Sequence, residues 1–143
     1  MSKDNRSLES FLNISYPESC GIGRIGTMFY QLGNKRKAQE IFEGMVEANP
    51  ESADARTALG AVLVSMNRHQ NALPHLLKAV ELQPEKIASY VNLAEVYIRQ
   101  GDLPKAVKSL SEAVKLDQTG TSSAANRARV LILEINKIIR LTS

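Results

Sequence analysis

Apolar residues along this chain recur at the spacing of one helical face, not in the strict alternation of a half-buried strand. Segments of this kind, separated by short polar breaks, predict helices over residues 20–32, 35–48, 53–66, 69–82, 87–100 and 103–116. A longer helix is predicted from about residue 122 to residue 141. In it, Ala128, Leu131, Ile132, Ile135, Ile138 and Ile139 form one broad stripe. Val130, Leu133 and Leu141 widen the apolar surface beyond what a solvated cap needs. The breaks have a chemistry of their own. Gly33-Asn34, Asn67-Arg68 and Gly101-Asp102 suit a left-handed helix cap. Asp102 reads as an N-cap, with Pro104 tolerated in the first turn that follows. Two features oppose the pattern. Pro74 falls inside the helix expected over 69–82, which must either start later, near Asn71, or be distorted there. Gly21, Gly23 and Gly26 crowd the helix over 20–32, each at a cost of about 1 kcal/mol relative to alanine. That helix is expected to be the least stable and to firm up when something binds.

The breaks keep a constant step. Ala38, Ala72 and Ala106 are 34 residues apart, as are Phe42, Leu76 and Leu110, and Gly26, Gly60 and Ala94; Pro50 and Pro84 keep the same interval. Three units follow: 19–52, 53–86 and 87–120. This resembles the tetratricopeptide repeat (TPR), an antiparallel helix pair with a 34-residue period. The first unit supplies Ile22, Ile25, Gly26, Phe29, Ala38, Phe42 and Pro50, and departs at Met45. The second supplies Leu59, Gly60, Leu63, Ala72, Leu76, Ala79 and Pro84, and departs at Arg56. The third supplies Tyr90, Leu93, Ala94, Tyr97, Ala106, Leu110 and Ala113, and departs at Gln118, where proline would end the second helix. Small residues in this pattern let the paired helices approach closely, and large ones fill the space between stacked helices. A single unit leaves an apolar face exposed, so neighbours must stack. The resemblance implies an all-α, right-handed solenoid of three helix-turn-helix repeats with flanking helices.

The flanks are read separately. In residues 1–18, Ser7 caps a short helix carrying Leu8, Phe11, Leu12 and Ile14, and Tyr16-Pro17 breaks it. This segment packs on the first repeat, frays, or serves as a contact that folds over the groove. Residues 118–123 link to the last helix, so 121–143 forms a C-terminal cap over the third repeat.

Composition narrows the function classes. The 143 residues suffice for one domain, and aromatic residues make up only 5%, with no Trp, so the core is aliphatic. A single cysteine, Cys20, excludes an internal disulfide and any multi-cysteine zinc site. The start of the chain lacks the apolar run of a signal peptide, and no segment has the 18 apolar residues of a membrane span. These features fit a cytoplasmic protein with no membrane insertion. A net charge of +3 is too small and too dispersed to argue for nucleic acid. The basic run Lys35-Arg36-Lys37 and the last helix's Arg127, Arg129, Lys137 and Arg140 have no interleaved aromatic platform, and read as solvated faces.

No catalytic, cofactor or metal constellation emerges. His69 and His75 are six apart, off one helical face, and read as surface residues. Gly21-Ile22-Gly23-Arg24-Ile25-Gly26 has the form G-x-G-x-x-G but follows no strand. The expectation is a protein that is not an enzyme and holds no cofactor or metal.

The TPR resemblance places a binding groove on the concave face, lined by first-helix positions. These are Cys20, Gly23, Thr27, Tyr30 and Gln31; Asp54, Thr57, Ala61, Val64 and Ser65; and Ala88, Val91, Glu95, Ile98 and Arg99. The residues expected to touch a partner are Gly23, Thr27, Tyr30, Thr57, Ala61, Val64, Val91, Glu95 and Ile98. Their small, weakly charged character suits an amphipathic helix or an extended apolar peptide. TPR co-chaperones that grip a C-terminal carboxylate need Lys, Asn and Arg where this chain has Gly23, Thr27, Ala61, Ala88 and Asn92, so that role is not expected. Taken as a free-standing small TPR, the chain resembles the cytoplasmic TPR chaperones of bacterial type III secretion, which hold needle or translocator subunits before export. The resemblance implies a chaperone with a protein client, with a second copy or a small co-chaperone as further partners. A generic adaptor or assembly factor is the first alternative. A structural protein that self-associates through the last helix, its groove filled internally, is the second.

Overall fold

A computed structural model describes residues 21–143. It contains seven helices: α1 (Gly21–Gln31), α2 (Lys35–Ala48), α3 (Ala53–Ser65), α4 (His69–Leu82), α5 (Ile87–Gln100), α6 (Leu103–Leu116) and α7 (Ser123–Thr142). No strand occurs among the described residues. The expected helix over Leu8–Ile14 and Cys20 lie outside them.

The helices end where the sequence supplies the means. Asn34, Ser52, Asp102 and Ser122 each accept a hydrogen bond from a backbone N–H in the first turn of the helix that follows. The turns inside the three hairpins are built alike. Gly33, Asn67 and Gly101 have φ of 82°, 60° and 78°. The next residue's N–H reaches back to the carbonyl of Phe29, Leu63 and Tyr97, at 2.8, 2.9 and 2.9 Å. This is a Schellman closure, repeated at each break. The expectation for Pro74 is settled in favour of a full-length helix: α4 starts at His69 and runs through the proline. The proline is exposed, so the hydrogen bond it forfeits faces water and is replaced there.

Each hairpin is closed by a small residue facing a large one. Gly60 lies against Leu76, where an added Cβ would come within 2.5 Å of Cδ2 and 2.6 Å of Cγ. Gly26 faces Phe42, whose Cζ would be 2.9 Å from such an atom. In the third hairpin Ala94 and Leu110 are both fully buried. The hairpins stack into two continuous cores. One joins Phe42, Leu59, Leu63, Leu76, Leu93 and Val96; the other joins Val91, Ala94, Leu110, Ala113, Ala128 and Ile135. Helix α5 contributes to both. Helix α7 packs on α5 and α6, as α5 packs on α3 and α4, so it takes the place of a fourth first helix. It therefore covers the third repeat and continues the inner layer.

Candidate functional site: the first-helix layer

The inner layer is formed by α1, α3, α5 and α7. Polar links tie its members at a repeating interval. Lys86 Nζ donates to Asp54 Oδ1 at 2.5 Å. Thr57 Oγ1 lies 2.9 Å from Ser89 Oγ, both buried, and also donates to the Ala53 carbonyl at 2.8 Å. Glu95 is ion-paired with Arg127 of α7. In each pair the partners stand 32 residues apart, two short of the repeat.

These links decide which expected groove residues have surface to offer. Gly23, Thr27, Thr57, Val64 and Val91 are buried. Thr57 is occupied by Ser89, while Val64 and Val91 belong to the two cores. Tyr30, Ala61, Glu95 and Ile98 are half-buried and keep a face toward solvent. Position along the repeat told which helix faces the groove. It did not tell which side of that helix the neighbouring first helix would cover.

Two cations read as solvated decoration have structural work. Arg127 neutralises Glu95. Arg129 Nη1 donates to Asp117 Oδ2 at 2.9 Å, while Asp117 Oδ1 accepts from the Ser122 N–H at 3.2 Å. Burial pushes the Asp117 carboxyl up. The Arg129 hydrogen bond and charge, with the backbone N–H groups of Ser122 and Thr121, outweigh it and hold the carboxyl below its ordinary value. Asp117 thus clasps the turn between α6 and α7. The histidines are half-buried, not surface residues. Burial, then the nearby Arg56 charge, lowers His75, whose Nδ1 lies 3.3 Å from Arg56 Nη1. No group of three or more metal-ligating side chains occurs among the described residues, and no described helix is long and apolar enough to cross a membrane.

A second concavity lies on the opposite face of α5. It is open, about 290 Å³ in volume, and lined by Tyr90, Leu93 and Tyr97 of α5 with Lys105, Lys108, Ser109 and Glu112 of α6. Burial and the nearby Glu112 and Glu85 charges raise the Tyr90 hydroxyl, which donates to the Pro84 carbonyl at 2.7 Å. Reading the repeat for its groove side alone passed over this pocket; its signal was two tyrosines on one face of α5, opposite lysines on α6.

Comparison with known proteins follows this architecture. The translocator chaperone SycD of Yersinia enterocolitica superposes with a TM-score of 0.80, covering 92% of both chains at 16% identity. PcrH in complex with the chaperone binding region of PopD gives 0.75 over 81% of this chain and 89% of that chain, at 23% identity. The first TPR domain of human RPAP3 gives 0.74 over 83% and 90%, at 14% identity. At these identities the likeness is one of fold. Among sequence relatives, a TPR repeat-containing thioredoxin of Arabidopsis thaliana is 26% identical over 85 residues, 59% of this chain. A U-box domain-containing protein of Oryza sativa is 26% identical over 113 residues, 79% of this chain. The chain spans only 12% and 14% of the length of these two relatives. Two tetratricopeptide-repeat family profiles match residues 24–87 and 63–130. Between them they take in α2 to α6 and parts of α1 and α7, and the chain belongs to the tetratricopeptide-repeat family.

Proposed function

We propose that this protein is a cytoplasmic, non-catalytic chaperone that holds a helical or extended segment of a protein client along its first-helix layer. The observation that carries this reading is the character of the surface left available there. Tyr30, Ala61 and Ile98 are half-exposed and uncharged, and the acidic Glu95 is neutralised by Arg127. A weakly charged, shallow surface favours an apolar peptide face over a charged terminus. Gly23, Thr27, Ala61, Ala88 and Asn92 stand where a carboxylate-gripping TPR needs cations and amides. This disfavours the kind of ligand held by the first TPR of Spaghetti (RPAP3), which was solved with an HSP90 peptide. SycD has been solved with a peptide of the translocator YopD, and PcrH with chaperone binding regions of PopD and PopB. A type III secretion translocator or needle subunit is accordingly the client class proposed here, with a generic TPR adaptor as the alternative.

The test is to purify the protein from its native cell at moderate salt, identify the bound chain by intact mass, and measure its affinity for the wild type and for Ala61→Arg. The substitution should abolish binding while leaving helicity and melting unchanged. Unchanged affinity would sink the groove assignment.

A second reading rests on α7. Leu133 and Leu141 are 70% and 82% exposed, with Val130 beside them. An apolar face of this kind fits contact with a second copy. Ile135 is a core residue, so the variants that isolate this reading are Leu133→Glu and Leu141→Glu. A concentration-dependent mass that both variants abolish supports it; a monomer at all concentrations refutes it.

A further inference from the structure

The pocket between α5 and α6 has a composition that TPR packing does not require. The corresponding positions in the first unit are Ile22, Ile25, Phe29, Lys37, Glu40, Ile41 and Gly44. In the second they are Arg56, Leu59, Leu63, Asn71, Pro74, His75 and Lys78. Only the third unit combines two tyrosines, a serine and adjacent lysines. At 100° per residue, Tyr90, Leu93 and Tyr97 point away from Val91, Glu95 and Ile98, so the pocket is separate from the first-helix surface.

Its polar groups are unequally satisfied. Lys105 is committed: its Nζ pairs with Asp102 at 3.3 Å and sits 5.7 Å from the Tyr97 ring centroid. Glu112 is drawn to Lys115 at 3.3 Å. Lys108, exposed at the rim, makes no ion pair or hydrogen bond with a described residue. Ser109 is only 7% exposed, yet its hydroxyl has no hydrogen-bond partner while it lines the pocket. A hydroxyl removed from bulk water without a partner is unfavourable, and a ligand polar group placed there relieves it. The floor is Leu93, and the walls are the two tyrosine rings.

Size limits what fits. A volume of about 290 Å³ lies at the lower bound for small-molecule sites, and holds one large apolar side chain rather than a whole cofactor. We propose that this pocket docks an acidic peptide segment by a single aromatic or leucine anchor. The anchor rests on Leu93 between Tyr90 and Tyr97. A peptide backbone or side-chain polar group meets the Ser109 hydroxyl. A flanking carboxylate pairs with Lys108, the one cation of the rim left unengaged.

The test uses fluorescence anisotropy with a fluorescein-labelled pentapeptide, Glu-Asp-Phe-Asp-Glu, against the full chain. Saturable binding is expected. Lys108→Glu should weaken it by roughly tenfold, and Ser109→Ala by about threefold. Replacing the central Phe of the probe with Ser should remove binding. Lys137→Glu, a change of the same charge on exposed α7, should leave it unaltered. The proposal is overturned if no saturation is seen up to about 1 mM probe. It is equally overturned if Lys137→Glu costs as much as Lys108→Glu, since the probe would then be reading net charge only. Both lysines are exposed, so neither variant endangers the fold.

Discussion

The first and second hairpins share one plan but not one environment. Ile25, Leu59 and Leu93 occupy the same repeat position, yet they are 48%, 1% and 5% exposed. Leu59 and Leu93 lie in the core that the preceding second helix completes. No described helix precedes α1. Three buried residues line α1, Gly23, Gly26 and Thr27, and none is a large aliphatic. Helix α3 buries nine, including Leu59, Val62, Leu63 and Val64. The lesson is that in a solenoid a residue's contribution depends on the unit before it as much as on its own type.

Truncation breaks or sharpens this contrast most directly. Leu59→Ala should destabilise the chain by about 3 kcal/mol. Ile25→Ala, at the equivalent position, should cost no more than about 1 kcal/mol, because little of its surface leaves water on folding. Urea unfolding of both variants measures the difference, and equal costs would refute the contrast. Next is the small residue between paired helices. Gly60→Ala drives a methyl into Leu76 and should cost about 2 kcal/mol by overpacking. Ala94→Gly, at the same register, should cost only about 1 kcal/mol, through backbone freedom. A neutral Gly60→Ala would mean that α3 and α4 can separate without loss.

A smaller effect concerns the far end. Folding holds the Asp117 carboxyl below its ordinary value of 3.8, so it favours the ionised form. The stability this supplies is complete above that value and is lost as pH falls through the lowered folded one. Melting between about pH 6 and about pH 3 should therefore fall less steeply in Asp117→Asn, which should already melt lower at pH 6. Parallel curves would show that the clasp does not contribute. The smallest effect is at the turns. Asn67 adopts the left-handed conformation that Gly33 and Gly101 hold in the other hairpins. Asn67→Gly should be neutral or stabilising by a few tenths of a kcal/mol, whereas Asn67→Ala should cost about 1 kcal/mol.

Much of the fold was legible because its determinants are local. The caps at Asn34 and Asp102 and the turn residues at Gly33, Asn67 and Gly101 place the helix ends within a residue or two of those expected. Pro74 was legible as a conflict but not in its outcome, since a helix tolerates a proline whose lost hydrogen bond faces solvent. The binding surface was less legible. Repeat position identifies the inner helices, but Thr57 and Val91 are covered by their neighbours because of how closely those helices pack, which no spacing along one helix encodes. Arg127 and Arg129 were misjudged for the same reason: their partners, Glu95 and Asp117, are remote in sequence.

The links 32 residues apart have a consequence for how such an array can grow. Suppose residues 53–86 were copied in tandem. The copy's Leu59 and Val62 would fall where Leu93 and Val96 now meet α4, residue for residue. Asp54 and Lys86 belong to the same unit, so each copy would bring its own bridge. One contact would be lost: the first Thr57 would meet the copied Ala55 in place of Ser89, and its hydroxyl would keep only the Ala53 carbonyl. The sequence of the middle unit is thus nearly self-compatible, and a lengthened chain would need a single alanine-to-serine change to restore every inner contact it began with.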